Sequence, residues 1–241
     1  MTKITCILVA MITLNSCGSL QEIANHLPQG SGALSQIDIG NGLRQALDQG
    51  IDKEVTKLMN TDGFYKNELV KILLPEELQK VGTGLRRIGL SNVADEGLKL
   101  LNRAAEDATR EALPIFIEAV KDITFNDAKN ILLGDQRAAT SYLENKTKQA
   151  LYAKFSPVIQ NSLGKVGATD LWSTAITRYN SIPFTNEVNP DLTDYVTQKA
   201  LEGVFKMISQ EEIQIRNNVS SRGTDLLKRV FALQDNQRFL K

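Results

Sequence analysis

One short polar run contains the side chains best suited to chemistry. In residues 102–106, Asn102, Arg103 and Glu106 flank two alanines. On a helix, Asn102 and Glu106 share a face at i, i+4, and Arg103 and Glu106 are neighbours at i, i+3. This spacing allows a polar site that faces a ligand, with three further side chains as candidates: Thr140, Tyr142 and Lys199. The alternative, which the small alanines favour, is a partly buried ion pair that fixes how two helices pack.

The N-terminus offers a different chemistry, the modification of a cysteine. Lys3 provides one positive charge, Ile4 to Leu14 are mainly apolar, and the run Leu-Asn-Ser-Cys that ends at Cys17 resembles a lipobox. A charged start followed by an apolar run of about ten residues is typical of a secretory signal. A membrane-spanning helix needs roughly 20 apolar residues. We therefore predict cleavage before Cys17, whose sulfur then carries the lipid.

Histidine and thiol chemistry have few candidates elsewhere. His26 is the one histidine, and the second cysteine, Cys6, lies in the segment that cleavage removes. A serine or cysteine nucleophile therefore has no histidine base within the domain, and a zinc site lacks its usual ligands. The sequence predicts no cofactor, no metal and no catalytic residue of this kind.

Paired carboxylates leave one enzymatic alternative open, a hydrolase that uses two acids. Such an enzyme needs the two acids across a cleft, at about 5 to 10 Å. Neighbouring side chains on a helix point about 100° apart, so no adjacent pair converges on a substrate by itself. The adjacent pairs are Glu76-Glu77, Asp95-Glu96, Glu106-Asp107 and Glu211-Glu212.

Length and charge bound the domain organisation. The chain has 241 residues, with 28 basic and 28 acidic side chains. Nucleic-acid binders usually show a basic stripe, and since no sustained stripe occurs we predict no nucleic-acid partner. A chain of this length can form one substantial core. We predict a signal peptide at 1–16, a flexible tether at 17–36, a single all-α domain at 37–234 and a polar tail at 235–241.

Apolar residues recur at the 3.6-residue spacing of amphipathic helices. Alternating apolar and polar runs, which would indicate strands, are nearly absent. The fold class is therefore predicted as all-α, a bundle-like domain of about seven to nine helices. We predict helices at 37–59, from Pro75 onwards, at 91–123 with a kink or restart at Pro114, at 125–133, at 135–166 with an interruption near Pro157, at 169–178, at 191–217 and at 224–231.

Several short motifs resemble those of one bacterial protein family. They include Asp62-Gly63-Phe64, Leu74-Pro75, residues 102–106, Tyr195-Val196-Thr197, Glu211-Glu212, Ile215-Arg216 and residues 224–227. From about Leu43 to Phe231 the chain resembles the bacterial domain-of-unknown-function family 4197, whose members are mostly predicted to be exported. The resemblance implies an exported helical domain, and it implies no chemistry.

These observations lead to a functional hypothesis and to two alternatives. We expect a lipid-anchored protein of the bacterial cell envelope, a non-catalytic binding or structural module. Its partners would be the membrane, through the lipid, and an envelope protein or a hydrophobic ligand. Gly18 stands where many lipoproteins of the inner membrane have aspartate, so we expect the periplasmic face of the outer membrane. The alternatives are the carboxylate hydrolase and a carrier with an apolar cavity of a few hundred Å³ between its helices.

Overall fold

The computed structural model describes residues 34–75, 79, 91–184 and 187–238, and this part of the chain forms eight α-helices and no strand. The predicted all-α fold is confirmed. The predicted signal peptide, Cys17, the tether up to residue 33, Glu76-Glu77 and most of the helix expected from Pro75 lie outside the described residues. The helices are α1 (Gln36–Met59), α2 (Ser91–Thr109), α3 (Ala112–Lys121), α4 (Phe125–Leu133), α5 (Ala138–Gly164), α6 (Ala168–Asn180), α7 (Leu192–Asn217) and α8 (Asp225–Arg238).

Short polar side chains fix the starts of several helices. Thr124 accepts a hydrogen bond from the N–H of Asp127, and the Asp127 carboxylate accepts one from the N–H of Thr124. This reciprocal capping box begins α4, and Ser35 and Asp38 form the same arrangement at α1. Such caps satisfy N–H groups that have no partner inside the helix, so these helices begin where the sequence places a short polar residue.

Helix α5 differs from its prediction in two respects. The interruption near Pro157 is wrong, because α5 continues through this residue. Pro157 lies on the exposed side of the helix, where water can bond to the carbonyl that the missing N–H leaves unpaired. The start of α5 is also later than Asp135, because this side chain accepts a hydrogen bond from the N–H of Arg137 and closes a turn before the helix.

The predicted long helix from Ser91 is divided into α2 and α3. The break falls at Arg110 and Glu111, a turn whose N–H groups bond to Asp107 and Ala108. Pro114 then occupies the first turn of α3, where its missing N–H costs little. At the other end of the chain, α8 continues to Arg238 instead of ending at Phe231. Part of the predicted polar tail is therefore helical.

Buried apolar side chains from all eight helices form one cluster. Helix α7 packs against α1, α2, α5 and α6, and α1 also contacts α2, α3, α4 and α8. One side of α7 is buried, from Leu192 to Ile215. None of the described helices is long and apolar enough to cross a membrane.

Candidate functional site

The segment from residue 60 to residue 75, here called the 60–75 segment, follows α1 and is bound to α2 by a buried carboxylate. Asp62 adopts a left-handed backbone conformation with φ of 69°, which aspartate tolerates better than most residues. The Glu106 side chain then accepts hydrogen bonds from the N–H groups of Phe64 at 3.1 Å and Tyr65 at 3.2 Å. Its second oxygen accepts one from the N–H of Asp62 at 3.3 Å. Glu106 thus holds the turn that ends α1.

Arg103 joins this turn to the helix that carries it. Its guanidinium donates to the carboxylates of Glu106 and Asp62. A hydrogen bond from Lys66, together with the one from Arg103, holds the pKa of Asp62 below its usual value. The bond with Glu106, and then the bond with Asp62, raises the pKa of Arg103. The predicted ion pair of residues 102–106 therefore exists, and it extends to a third side chain, Asp62.

Asn102 binds the far end of the same segment. Its side chain is fully buried and accepts a hydrogen bond from the N–H of Ile72 at 2.8 Å. It donates to the carbonyl of Ile72 at 2.9 Å. Both backbone polar groups of a buried residue are thereby satisfied by one amide. The polar face of α2 therefore fixes the 60–75 segment at both of its ends.

Helix α7 holds this segment from a second direction. The Tyr195 hydroxyl donates to the carbonyl of Leu73 at 2.6 Å, and the Lys206 ammonium donates to the carbonyl of Leu69 at 2.8 Å. Between them, Gly203 allows close packing, because a Cβ at this position would stand 2.7 Å from Cε1 of Phe64. These contacts therefore fix the position of the segment along α7.

An open groove of about 270 Å³ runs between this segment and α7. We call it the α7 groove; it is lined by residues 69–73 on one side and by Tyr195, Lys199, Glu202, Gly203 and Lys206 on the other. Three of these residues are lysines, at positions 71, 199 and 206, and the exposed Leu69 and Leu73 stand beside them. A concave surface that combines apolar side chains with a few fixed charges is the usual form of a ligand site.

A second polar network is buried where the C-terminal end of α4 lies near the N-terminal end of α5. Glu212 on α7 accepts hydrogen bonds from the N–H groups of Ala139 at 2.9 Å and Thr140 at 2.8 Å, and one from the Thr140 hydroxyl at 2.7 Å. Its carboxylate also pairs with Arg216 at 2.8 Å. A negative charge at a helix N-terminus is favourable, so Glu212 acts as the cap of α5.

Two arginines complete this network at helix C-termini. Arg216, which is 1% exposed, donates to the carbonyls of Ile131 and Leu132 at the end of α4. It also donates to the Gln234 amide on α8 at 2.6 Å. Arg222 donates to carbonyls at the end of α7 and forms an ion pair with Asp235. These bonds join α4, α5, α7 and α8, and the side chains that form them have a structural role.

The six candidate residues from the sequence do not form a single site. Asn102, Arg103 and Glu106 bond to the 60–75 segment, whereas Thr140 bonds to Glu212. Lys199 lines the α7 groove and pairs with Glu202 at 2.7 Å. The sixth, Tyr142, is half-buried beneath the ammonium of Lys146, 5.8 Å from its ring centre, and burial raises the pKa of Tyr142.

Two features of these networks were missed in the sequence. The sequence presents Glu212 only as a member of an adjacent carboxylate pair, and Arg216 only within a motif that resembles the family. The signal that could have found both is their i, i+4 spacing on a face of α7 that is otherwise apolar. The lysines at positions 71 and 206 gave no such signal, because Lys206 lies on α7 and the 60–75 segment, distant in sequence, brings Lys71 to the same groove.

Other parts of the described chain bear on the alternatives. No group of three or more potential metal-binding side chains occurs among the residues that the structure describes. Glu211 pairs with Lys53 at 2.5 Å, while its neighbour Glu212 is buried in the network above. A cavity between α1, α7 and α8 has a volume of about 30 Å³. That space suits one or two water molecules, whereas an acyl chain needs far more.

The comparisons with known proteins give a family and no activity. Residues 33–232 match a family described as "Protein of unknown function (DUF4197)". No curated protein and no solved structure matches the chain.

Proposed function

Because the chain belongs to the DUF4197 family, whose description assigns no activity, we propose a function from the geometry: a non-catalytic binding module anchored to a bacterial envelope membrane by lipid on Cys17. The α7 groove is its binding surface. Gly18, the residue after Cys17, favours a location at the periplasmic face of the outer membrane. Its partners are the membrane, through the lipid, and the occupant of the groove.

One observation carries this proposal, the contrast between the buried ionisable groups and those of the α7 groove. Glu106, Glu212 and Arg216 are buried and bonded to backbone groups of neighbouring elements. Such groups build the fold, because removing any of them would strand a buried partner. The ammonium groups of Lys199 and Lys206 instead stand at an open surface, where Lys199 pairs with the exposed Glu202 and Lys206 bonds to the Leu69 carbonyl. This division favours binding at a preformed surface over acid–base chemistry.

The two alternatives receive less support. A carrier would need a continuous apolar cavity of a few hundred Å³, ten times the space between α1, α7 and α8. A hydrolase would need two carboxylates facing a common cleft. The adjacent acids Glu211 and Glu212 bond to different helices, the first to Lys53 on α1 and the second to the start of α5.

The anchor is tested by metabolic labelling with a clickable fatty acid. The full-length protein should carry the label, and Cys17→Ser should lose it entirely. Membrane fractionation of the same cells should place the labelled protein with the outer membrane. Label that persists in Cys17→Ser would contradict the anchor.

The groove is tested by crosslinking in intact cells. A photoreactive amino acid replaces Leu73 in the groove or, as a matched control, Ile117 on α3; their exposed fractions are 49% and 44%. A specific partner should be crosslinked from position 73 and not from position 117. Equal crosslinking from both positions, or from neither, would argue against a binding role for this surface.

A further inference from the structure

The charge of the α7 groove limits the class of ligand that it can bind. Its described lining contains three ammonium groups and one carboxylate, Glu202. Lys206 is fixed by the Leu69 carbonyl at 2.8 Å, and Lys71 lies over the Tyr65 ring at 4.7 Å from its centre. The groove therefore carries an excess of two positive charges on side chains that the fold already positions.

The Lys199–Glu202 pair can be exchanged for a ligand at little cost. The two side chains are 42% and 63% exposed, and ion pairs this exposed contribute little stability. An anion that enters the groove therefore gains the Lys199 ammonium without disrupting the core. Glu202 repels the same anion, so it limits affinity.

The net charge of the groove favours phosphate over carboxylate. The planar fork of arginine matches both anions, whereas lysine acts as a point charge that sets no planar geometry. Separate ammonium groups can surround a tetrahedral anion with several oxygens. A phosphate monoester carries about −1.5 to −2 charges at neutral pH, which balances the excess in the groove.

The same surface offers an apolar contact beside these cations. Leu69 and Leu73 are 52% and 49% exposed, although the backbone of both is fixed by bonds to α7. Exposed leucines on a rigid segment beside lysines suit a ligand with an apolar part next to its charge. The groove volume of about 270 Å³ is close to the lower bound for small-molecule sites.

We infer that the α7 groove binds a phosphate-bearing ligand, with the phosphate at Lys71, Lys199 and Lys206 and an apolar part along Leu69 and Leu73. This inference rests on the proposed function, since it names the ligand class of the same groove. A soluble phosphate monoester and a phospholipid head group both present anionic phosphate oxygens, with up to two negative charges on the monoester and one on the phosphodiester of the lipid.

The test is an NMR titration of the full-length chain carrying Cys17→Ser, so that no acyl chain contributes to binding. The probes are glycerol 3-phosphate, vesicles of phosphatidylethanolamine with phosphatidylglycerol, vesicles of phosphatidylcholine, and succinate as a carboxylate. Glycerol 3-phosphate should shift the amide signals of residues 69–73 and 199–206 if the ligand is a soluble ester. Selective broadening of these signals by the phosphatidylglycerol vesicles alone indicates a lipid source.

Variants then test the assigned lysines. Replacing Lys71, Lys199 and Lys206 together by glutamine should weaken binding about tenfold. The same change at the exposed Lys148, Lys154 and Lys165 removes equal charge elsewhere and should leave binding unchanged. Glu202→Gln should strengthen binding about threefold, and because Glu202 is exposed this variant tests the sign of the charge effect with the fold intact.

The outcomes separate the two proposals. The inference fails if neither phosphate probe perturbs the groove signals, if succinate binds as well as glycerol 3-phosphate, or if Glu202→Gln weakens binding. None of these results affects the lipid on Cys17, which the fatty-acid label reports, or crosslinking from position 73. Loss of the label with intact phosphate binding would overturn the anchor alone.

Discussion

The side chain of Asn102 pairs with the backbone of Ile72 as a neighbouring strand would, accepting from its N–H at 2.8 Å and donating to its carbonyl at 2.9 Å. A buried residue outside the helices of an all-helical domain has no strand to bond with, and an unpaired backbone group in the interior is costly. One amide on α2 removes that cost. The wall of the α7 groove depends on it, because Ile72 lies in that wall.

Asn102→Ala should therefore lower the free energy of unfolding by about 2 to 4 kcal/mol, since it leaves a buried donor and acceptor unpaired. Urea unfolding followed by circular dichroism measures this loss. Lys99→Ala, on the same helix and 41% exposed in its side chain, should change stability by less than about 0.5 kcal/mol. Equal effects of the two substitutions would contradict the role given to Asn102.

Glu212→Ala should destabilise the protein more strongly, by about 3 to 5 kcal/mol, because it strands the buried charge of Arg216. The start of α5 also loses its cap, so hydrogen exchange at Ala139 and Thr140 should accelerate. Glu144→Ala removes an exposed ion pair with Lys148 on the same helix α5 and should cost at most about 1 kcal/mol. A loss for Glu212→Ala no larger than this would show that the network contributes little.

Two glycine substitutions should have opposite effects. Gly203→Ala places a methyl 2.7 Å from the Phe64 ring and 3.3 Å from Val70, so we expect a loss of about 1 to 3 kcal/mol from overpacking. Gly97→Ala, in α2, meets nothing within 4 Å and should stabilise the helix by about 0.5 to 1 kcal/mol. Thermal unfolding of both variants checks the pair. A stabilising Gly203→Ala would mean that the 60–75 segment packs less closely on α7.

Tyr152 should lose its proton late in an alkaline titration. Its hydroxyl donates to Asp194 at 2.6 Å, and this bond raises the pKa of Tyr152 to about 12, against an ordinary value of about 10. Because the folded-state pKa is raised, the stability that this bond contributes is complete below about pH 10 and is lost as the pH rises through about 12.

The measurement is a pH titration of ring carbon signals in protein labelled at tyrosine. Asp194→Ala should move the pKa of Tyr152 toward 10, and Asp170→Ala, an exposed change on α6, should leave it near 12. A Tyr152 pKa that does not respond to Asp194→Ala would assign the shift to burial instead.

Short stretches of sequence were enough to predict where the helices form. They did not indicate which distant residues the helical side chains contact. The capping box of Thr124 and Asp127 is written in four consecutive residues, so the start of α4 was predicted correctly. The pairing of Arg103 with Glu106 likewise follows from helical spacing. Their third partner, Asp62, is 41 residues earlier than Arg103, and nothing in the local sequence indicates that contact.

The failure at Pro157 has a related cause. A proline within a helical pattern predicts an interruption, but its effect depends on whether the unpaired carbonyl meets water or protein. Only the packing of α5 decides this, by turning Pro157 outward. In the same way, Thr140 and Lys199 were expected near residues 102–106, and packing gave them other partners, Glu212 and Glu202.

The two buried arginines also constrain how this sequence can vary during evolution. Arg216 bonds to two carbonyls, a carboxylate and an amide at once, and Arg222 to two carbonyls and a carboxylate. Lysine keeps the charge but lacks the planar set of donors. An exchange of arginine for lysine, which is neutral on the surface, would therefore be selected against at both positions. Related chains that diverge across their surfaces should therefore retain arginine at 216 and 222, or lose both together with Glu212 and Asp235.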